Sequence, residues 1–181
     1  MPAKLKTLTF WRDLALYFMV FSFVGHWFEM LTSALLELAT GEGFGYGIMN
    51  NFIEPYTVYG LGAVVCIVAL QPMIKKFSKN LAVLYFACTG VCAIVEYVSA
   101  LIIVFRFGHN PFWDYSDMPF NLNGYICLRN TLAFGVIATA FMAFIYPRVN
   151  KLLVWLGVWR VNYIFTLILI VFTICAVAYW K

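Results

Sequence analysis

Charge is scarce in this chain: Lys and Arg number 12 and Asp and Glu 8 among 181 residues, or 11% of the whole. Soluble domains carry about 25%, so a water-soluble fold, which would have to cover its interior with charge, is excluded. The basic residues are scattered, and a net charge of +4 spread this way makes no patch for nucleic acid. A G-x-x-x-x-G-K-[ST] loop is missing and there is no room for a nucleotide-binding domain, which excludes a self-contained ATP-driven pump. Histidine occurs twice, and no H-E-x-x-H, C-x-x-C or calcium-loop spacing is present, so no metal is expected and no motif names a cofactor. No serine has the context of a catalytic nucleophile. The 5 cysteines (Cys66, Cys88, Cys92, Cys127 and Cys175) all fall in apolar runs. An odd number there is no disulfide framework, and Cys88 and Cys92, which share a helix face, read as packing groups.

What is abundant is apolar surface. Such residues make up 64% of the chain, mean hydropathy is +0.88, and they come in runs of about twenty, long enough to cross a hydrocarbon core of about 30 Å as helices. The chain reads as an all-α polytopic membrane protein, one transmembrane domain over residues 1–181, with five spans near 14–38, 56–74, 81–105, 126–146 and 162–180. Gln71-Pro72, Pro111, Pro119, Pro147 and the glycine-rich stretch 41–47 read as boundaries. With the N-terminus cytoplasmic, nine basic residues fall inside (Lys4, Lys6, Arg12, Lys75, Lys76, Lys79, Arg148, Lys151, Arg160) and three outside (Arg106, Arg129, Lys181). The positive-inside bias therefore puts the C-terminus outside. The segment 148–161 is too short to span and reads as an interfacial helix on the cytoplasmic side, with Trp155 and Trp159 at headgroup depth. The first apolar run carries Glu29 and lacks a cleavage site, so it reads as a retained span rather than a signal peptide.

Polar groups crowd toward the outer side. Glu29 and Glu96 lie about 4.5 Å beyond the midpoints of the first and third spans, at matching depth. An ionised acid there costs about 2.5–3.5 kcal/mol even on a lenient scale, so each needs a partner, a wet cavity or a raised pKa. His26 shares a face with Glu29, Ser22 and Ser33 extend that stripe, and Ser99 does the same beside Glu96. Arg129, about 5 Å inside the fourth span, is placed to bridge the two acids or to snorkel outward. The three make either a ligand site or an interhelical polar staple.

Two connecting segments add candidates. The outer loop, residues 106–125, contains Trp113, Asp114, Tyr115 and Asn121 between prolines and an Asn-Gly turn. Its length suits a structured lid, with Phe112, Trp113, Phe120 and Leu122 expected to be buried and its Asp and Asn side chains to cap turns. Before the second span, the run from Asn50 to Gly62 carries Glu54 ahead of Pro55 and Tyr59 ahead of Gly60, a pattern open to a re-entrant segment or a plain loop.

Trp113-Asp114-Tyr115-Ser116-Asp117 followed by Pro119-Phe120-Asn121-Leu122-Asn123-Gly124 resembles the signature of a bacterial family of type IV ABC-transporter permeases. Glu96-Tyr97, Tyr59-Gly60-Leu61-Gly62 and Gly25 with Glu29 resemble further motifs of that family. Ala93, His26, Trp27, Glu54, Thr57 and Tyr125 depart from its pattern. The resemblance implies a small multi-pass protein of the bacterial inner (plasma) membrane. Its expected role is a transporter permease or substrate-capturing component, with a homo-oligomer or a separate ATPase or transport subunit as partner. The ligand site would draw on Glu29, Glu96, Arg129, His26, Trp113, Asp114, Tyr115, Asn121, Glu54 and Tyr59. The alternative is a membrane-embedded enzyme acting on a lipid or lipid-linked substrate at the outer leaflet, with paired carboxylates as acid and base.

Overall fold

The computed structural model describes residues 8–41, 53–77 and 80–179. Lys4, Lys6, Lys79, Lys181, the glycine-rich stretch after Gly41 and Asn50-Asn51-Phe52 lie outside the described residues. The protein is mostly helical: α1 (Leu8–Thr40), α2 (Thr57–Phe77), α3 (Leu81–Phe107), a two-stranded hairpin of β1 (Asn121–Leu122) and β2 (Ile126–Cys127), α4 (Leu128–Ala140), a π-helical turn (Phe141–Ile145) and α5 (Tyr146–Tyr179). The chain divides into two units, Met1–Leu61 with Leu156–Lys181, and Gly62–Trp155.

In the first unit α1 packs on the later part of α5. Phe172 makes edge-to-face contacts with Phe18 and Phe23, ring centres 5.7 and 5.8 Å away. Toward the start of α1, Arg12 donates to Asn162 Oδ1 (2.7 Å) and, through Nε, to Asp13 Oδ1 (2.9 Å). The charged end of the helix is thereby satisfied. Further along, Met19, Ser22 and His26 form a buried stripe at three- and four-residue spacing, the repeat that keeps one helix face inward.

In the second unit Asn80 caps α3 by accepting from the amides of Ala82 (3.1 Å) and Val83 (3.3 Å). α3 packs on α4, where the Tyr85 hydroxyl donates to the Leu132 carbonyl at 3.2 Å. Along α3, Phe86, Ile94, Ile102 and Phe105 are exposed, Phe105 to 94%. Water would not tolerate so continuous an apolar surface; hydrocarbon would. Among the described residues three helical stretches are long and apolar enough to cross a bilayer: Leu8–Ala39, Leu81–Phe107 and Leu128–Tyr179. Thr57–Gln71 is a shorter apolar helix.

Two expected boundaries are not breaks. α2 runs through Pro72 to Phe77, and the helix begun at Leu128 continues past Pro147. Proline lacks the N–H that an α-helix needs and crowds the carbonyl four residues back. Ahead of Pro147 the ladder widens, with the Tyr146 amide donating to the Phe141 carbonyl five residues earlier. Such a π-turn absorbs the mismatch without ending the helix. The segment expected to begin a separate interfacial helix at 148 is thus a continuation of α4.

The break comes at Gly157, where φ is 75° and ψ 164°, a region open essentially to glycine alone. Trp155 and Trp159 flank it, 75% and 89% exposed. A Cβ at Gly157 would meet no atom within 4 Å, so Gly157→Ala isolates backbone strain. It should destabilise the detergent-solubilised protein by about 1–3 kcal/mol, read as a lowered Tm; an unchanged Tm would show that the bend there is not required.

Candidate functional site

Two polar centres are built, one in each unit. In the first, the start of α2 leans against the middle of α1. The Tyr56 amide donates to the Ser22 carbonyl at 3.0 Å, and the Tyr56 ring stands edge-on to His26 with centres 4.6 Å apart. One turn later the Tyr59 hydroxyl donates to Glu29 Oε1. This approach depends on two absent side chains. A Cβ on Gly25 would occupy the Tyr59 ring, and one on Gly60 would collide with the Phe18 carbonyl and the Ser22 hydroxyl. Small residues that let helix backbones meet are the usual device where lipid gives no hydrophobic drive between helices. Here they deliver a phenol to a half-buried carboxylate. Glu54, half-buried, sits outside any helix just before Pro55.

In the second unit the segment between α3 and α4 is a self-braced turn structure. Asn123 (φ 56°) and Gly124 (φ 71°) occupy the centre of a tight turn closed by the Tyr125 amide on the Leu122 carbonyl at 3.0 Å. Two consecutive positive φ values mark the hairpin turn that Asn-Gly favours. Around it Asn121 bonds three backbone groups: its amide donates to the carbonyls of Ser116 (3.0 Å) and Met118 (2.9 Å), and its oxygen accepts from Gly124 (3.0 Å). The Tyr115 amide donates to the Gly124 carbonyl (2.9 Å), and the Trp113 indole to the Tyr125 carbonyl (3.0 Å). Asn123 then reaches α3, donating to the Tyr97 hydroxyl at 2.9 Å, while the Tyr97 and Tyr125 rings lie 5.7 Å apart. The loop is therefore moored to α3 at Tyr97, the residue after Glu96, which is buried to 7% exposure.

Of the loop's apolar groups expected to be buried, Trp113 is half-buried and the others are not. Phe112, Phe120 and Leu122 are exposed, Phe120 to 82%. The turn is held by side-chain-to-backbone bonds instead of by a small core, which leaves those groups free to face outward.

Asp114 Oδ1 accepts from the Ser116 hydroxyl (2.6 Å) and the Ser116 amide (2.9 Å). The hydroxyl first, and then the amide, hold its carboxyl below the ordinary value of 3.8. The contribution to loop stability is therefore present above that value and is lost as pH falls through the depressed folded value. Hydrogen exchange at the Ser116 amide should speed up on acidification below pH 3.8 beyond the trend of neighbouring amides, and Asp114→Asn should abolish that extra step. An identical profile in both proteins would remove this role from Asp114.

The expected ligand residues thus fall in two groups. His26, Glu29, Glu54 and Tyr59 belong to the first unit, and Glu96, Trp113, Asp114, Tyr115, Asn121 and Arg129 to the second. Arg129 is exposed, with Nε donating to Asn130 Oδ1 at 3.1 Å. Sequence reasoning treated Asn123 mainly as a turn former and passed over Tyr56 and Tyr125. Their aromatic and polar character was visible, but their partners lie far along the chain. Among the described residues no group of three or more His, Cys, Asp and Glu side chains is arranged to hold a metal ion.

Three long apolar helices with lipid-suited outer faces mark a membrane protein. The chain belongs to the family described as "Putative ABC-transporter type IV", whose family model matches residues 16–179. No curated protein and no solved structure matches the chain. The residues that carry the resemblance pair off in space: Gly25 and Glu29 with Tyr59, and Tyr97 with Asn123.

Proposed function

We propose that this protein is a multi-pass permease or substrate-capturing component of a transport system in the bacterial inner membrane. It crosses the bilayer five times, with its N-terminus cytoplasmic and the braced loop outside. In the first unit Glu29 binds a polar solute, assisted by His26, Tyr59 and Glu54; in the second, Glu96 and Arg129 offer polar groups of the same kind, with Trp113, Asp114, Tyr115 and Asn121 shaping the entrance. The observation that carries this reading is the Tyr59 hydroxyl on the Glu29 carboxylate within an apolar helix pair. A carboxylate kept in hydrocarbon surroundings is costly, and a neutral phenol lowers that cost while leaving the charge available to a solute. Five spans are few for a pathway, so the component works as a homo-oligomer or with a separate ATPase or transport subunit.

Thermal-shift screening of the detergent-solubilised protein against amino acids, polyamines, sugars and inorganic ions tests the proposal. A solute that raises Tm should do so much less in Glu29→Gln or in Glu96→Gln, and for one held by Glu29, Tyr59→Phe should weaken binding about tenfold, the value of one hydrogen bond to a charged group. Stabilisation by a solute that is identical in wild type and all three variants would overturn the assignment.

A further inference from the structure

The loop between α3 and α4 is moored deep along α3. Arg106, exposed, stands in the last turn of that helix, and a guanidinium at a helix end extends to the phosphate layer of a bilayer. Tyr97, which holds Asn123 and lies against Tyr125, is nine residues further in, about 13–14 Å along the axis. The register of the two helices gives the same depth. A Cβ on Gly135 would overlap the Thr89 hydroxyl, and Cys92 Sγ stands 3.9 Å from the Phe134 carbonyl. α3 and α4 therefore run antiparallel, with Leu128 level with residues 96–98. One leaflet has about 15 Å of hydrocarbon, half of a core of about 30 Å. The hairpin tip and the start of α4 lie inside it.

Beyond that level α3 continues as an apolar stretch on which Val98, Leu101, Ile102 and Phe105 are exposed, a surface suited to acyl chains and not to water. At the depth of the tip, Phe120 and Leu122 are exposed as well, and Phe120 is held there by a left-handed φ of 55°. Asp114 is also exposed, and its Oδ1 would lie 2.9 Å from a Cβ on Gly124 at the tip. A carboxylate in hydrocarbon is costly, so Phe120 and Asp114 cannot share one solvent. Irregular backbone at this depth is tolerated only where protein or water satisfies it.

We infer that residues 108–127 form a re-entrant wall within the leaflet, with Phe120 and Leu122 against phospholipid acyl chains and Asp114 in a water-filled vestibule. The lipid contact continues the apolar face of α3. The bonds from Asn121 to the carbonyls of Ser116 and Met118 and to the Gly124 amide supply the partners that backbone lacks in lipid. Phe112, whose ring centre is 6.4 Å from that of Phe107 at the end of α3, sits nearer the headgroups. This placement rests on depth along α3 and not on the binding of a solute, and its test uses none.

The full-length wild-type chain in phosphatidylcholine nanodiscs is labelled in three ways and mapped by tandem mass spectrometry, so no variant has to fold. A phosphatidylcholine carrying a diazirine in mid-chain, photolysed to a carbene, should mark Phe120 and Leu122 as strongly as Ile94, exposed on the middle of α3. Hydroxyl radicals generated in the water should leave Phe120 and Leu122 unmodified in nanodiscs and oxidise them after denaturation in SDS. A water-soluble carbodiimide with glycine ethyl ester should modify Asp114 in the nanodiscs. Oxidation of Phe120 and Leu122 without carbene label would put the loop above the membrane, and protection from both reagents would put a protein partner on it; either result overturns the lipid contact. An Asp114 that reacts only after denaturation would overturn the vestibule.

Discussion

Gly60→Val is expected to separate α1 from the start of α2 and to lower stability by about 3 kcal/mol, the upper range for forcing extra atoms into a packed contact. The obstacle is largely backbone. A Cβ at Gly60 would collide with the Phe18 carbonyl as well as the Ser22 hydroxyl, and a carbonyl inside a helix cannot rotate aside. Separation also withdraws the Tyr59 hydroxyl from Glu29 and the Tyr56 ring from His26, so the carboxylate loses its donor in the same step. Gly62→Ala is the control, because a Cβ there meets nothing within 4 Å, and the better helix propensity of alanine should leave Tm unchanged or slightly raised. Melting curves in one detergent compare the three proteins. Equal losses in both variants would mean that the close approach at Gly60 carries no weight.

Gly124→Val should release the loop between α3 and α4. Two costs combine: a left-handed φ for a residue with a Cβ, about 1–2 kcal/mol, and overlap of that Cβ with the Ser116 hydroxyl and Asp114 Oδ1, worth about 1–3 kcal/mol. The amides of Tyr115 and Gly124, protected by the Gly124 carbonyl and by Asn121 Oδ1, should then exchange at least tenfold faster, while α3 away from the Tyr97 mooring keeps its protection. Hydrogen-exchange mass spectrometry of peptides covering residues 113–127 gives the measurement. Unchanged exchange there would show that the loop is held by something other than its turn.

The two glycine predictions also mark how far the sequence could be read. That the chain is helical and lives in lipid was legible from composition, because long apolar runs with so little charge have one stable outcome in hydrocarbon. Individual ends were less legible. Pro147 is a boundary signal by every local rule, yet a π-turn absorbs it and the helix bends at Gly157, whose sequence context of Leu156 and Val158 announces nothing. Breaks depend on whether the backbone hydrogen bonds lost at proline can be re-formed nearby, and that is a property of the folded segment.

The candidate residues divide in the same way. Charge and depth alone singled out Glu29 and Glu96, since an acid in an apolar run is expensive wherever the helix goes. The Asn-Gly turn was equally plain, being a local preference for positive φ. What only the tertiary structure decided is which groups meet: Tyr59 with Glu29, and Asn123 with Tyr97. Solvent preference and turn chemistry are written in adjacent residues. Partnership across tens of residues arises from helix packing, where a missing Cβ at Gly25 or Gly60 determines how near two backbones come and so which side chains touch.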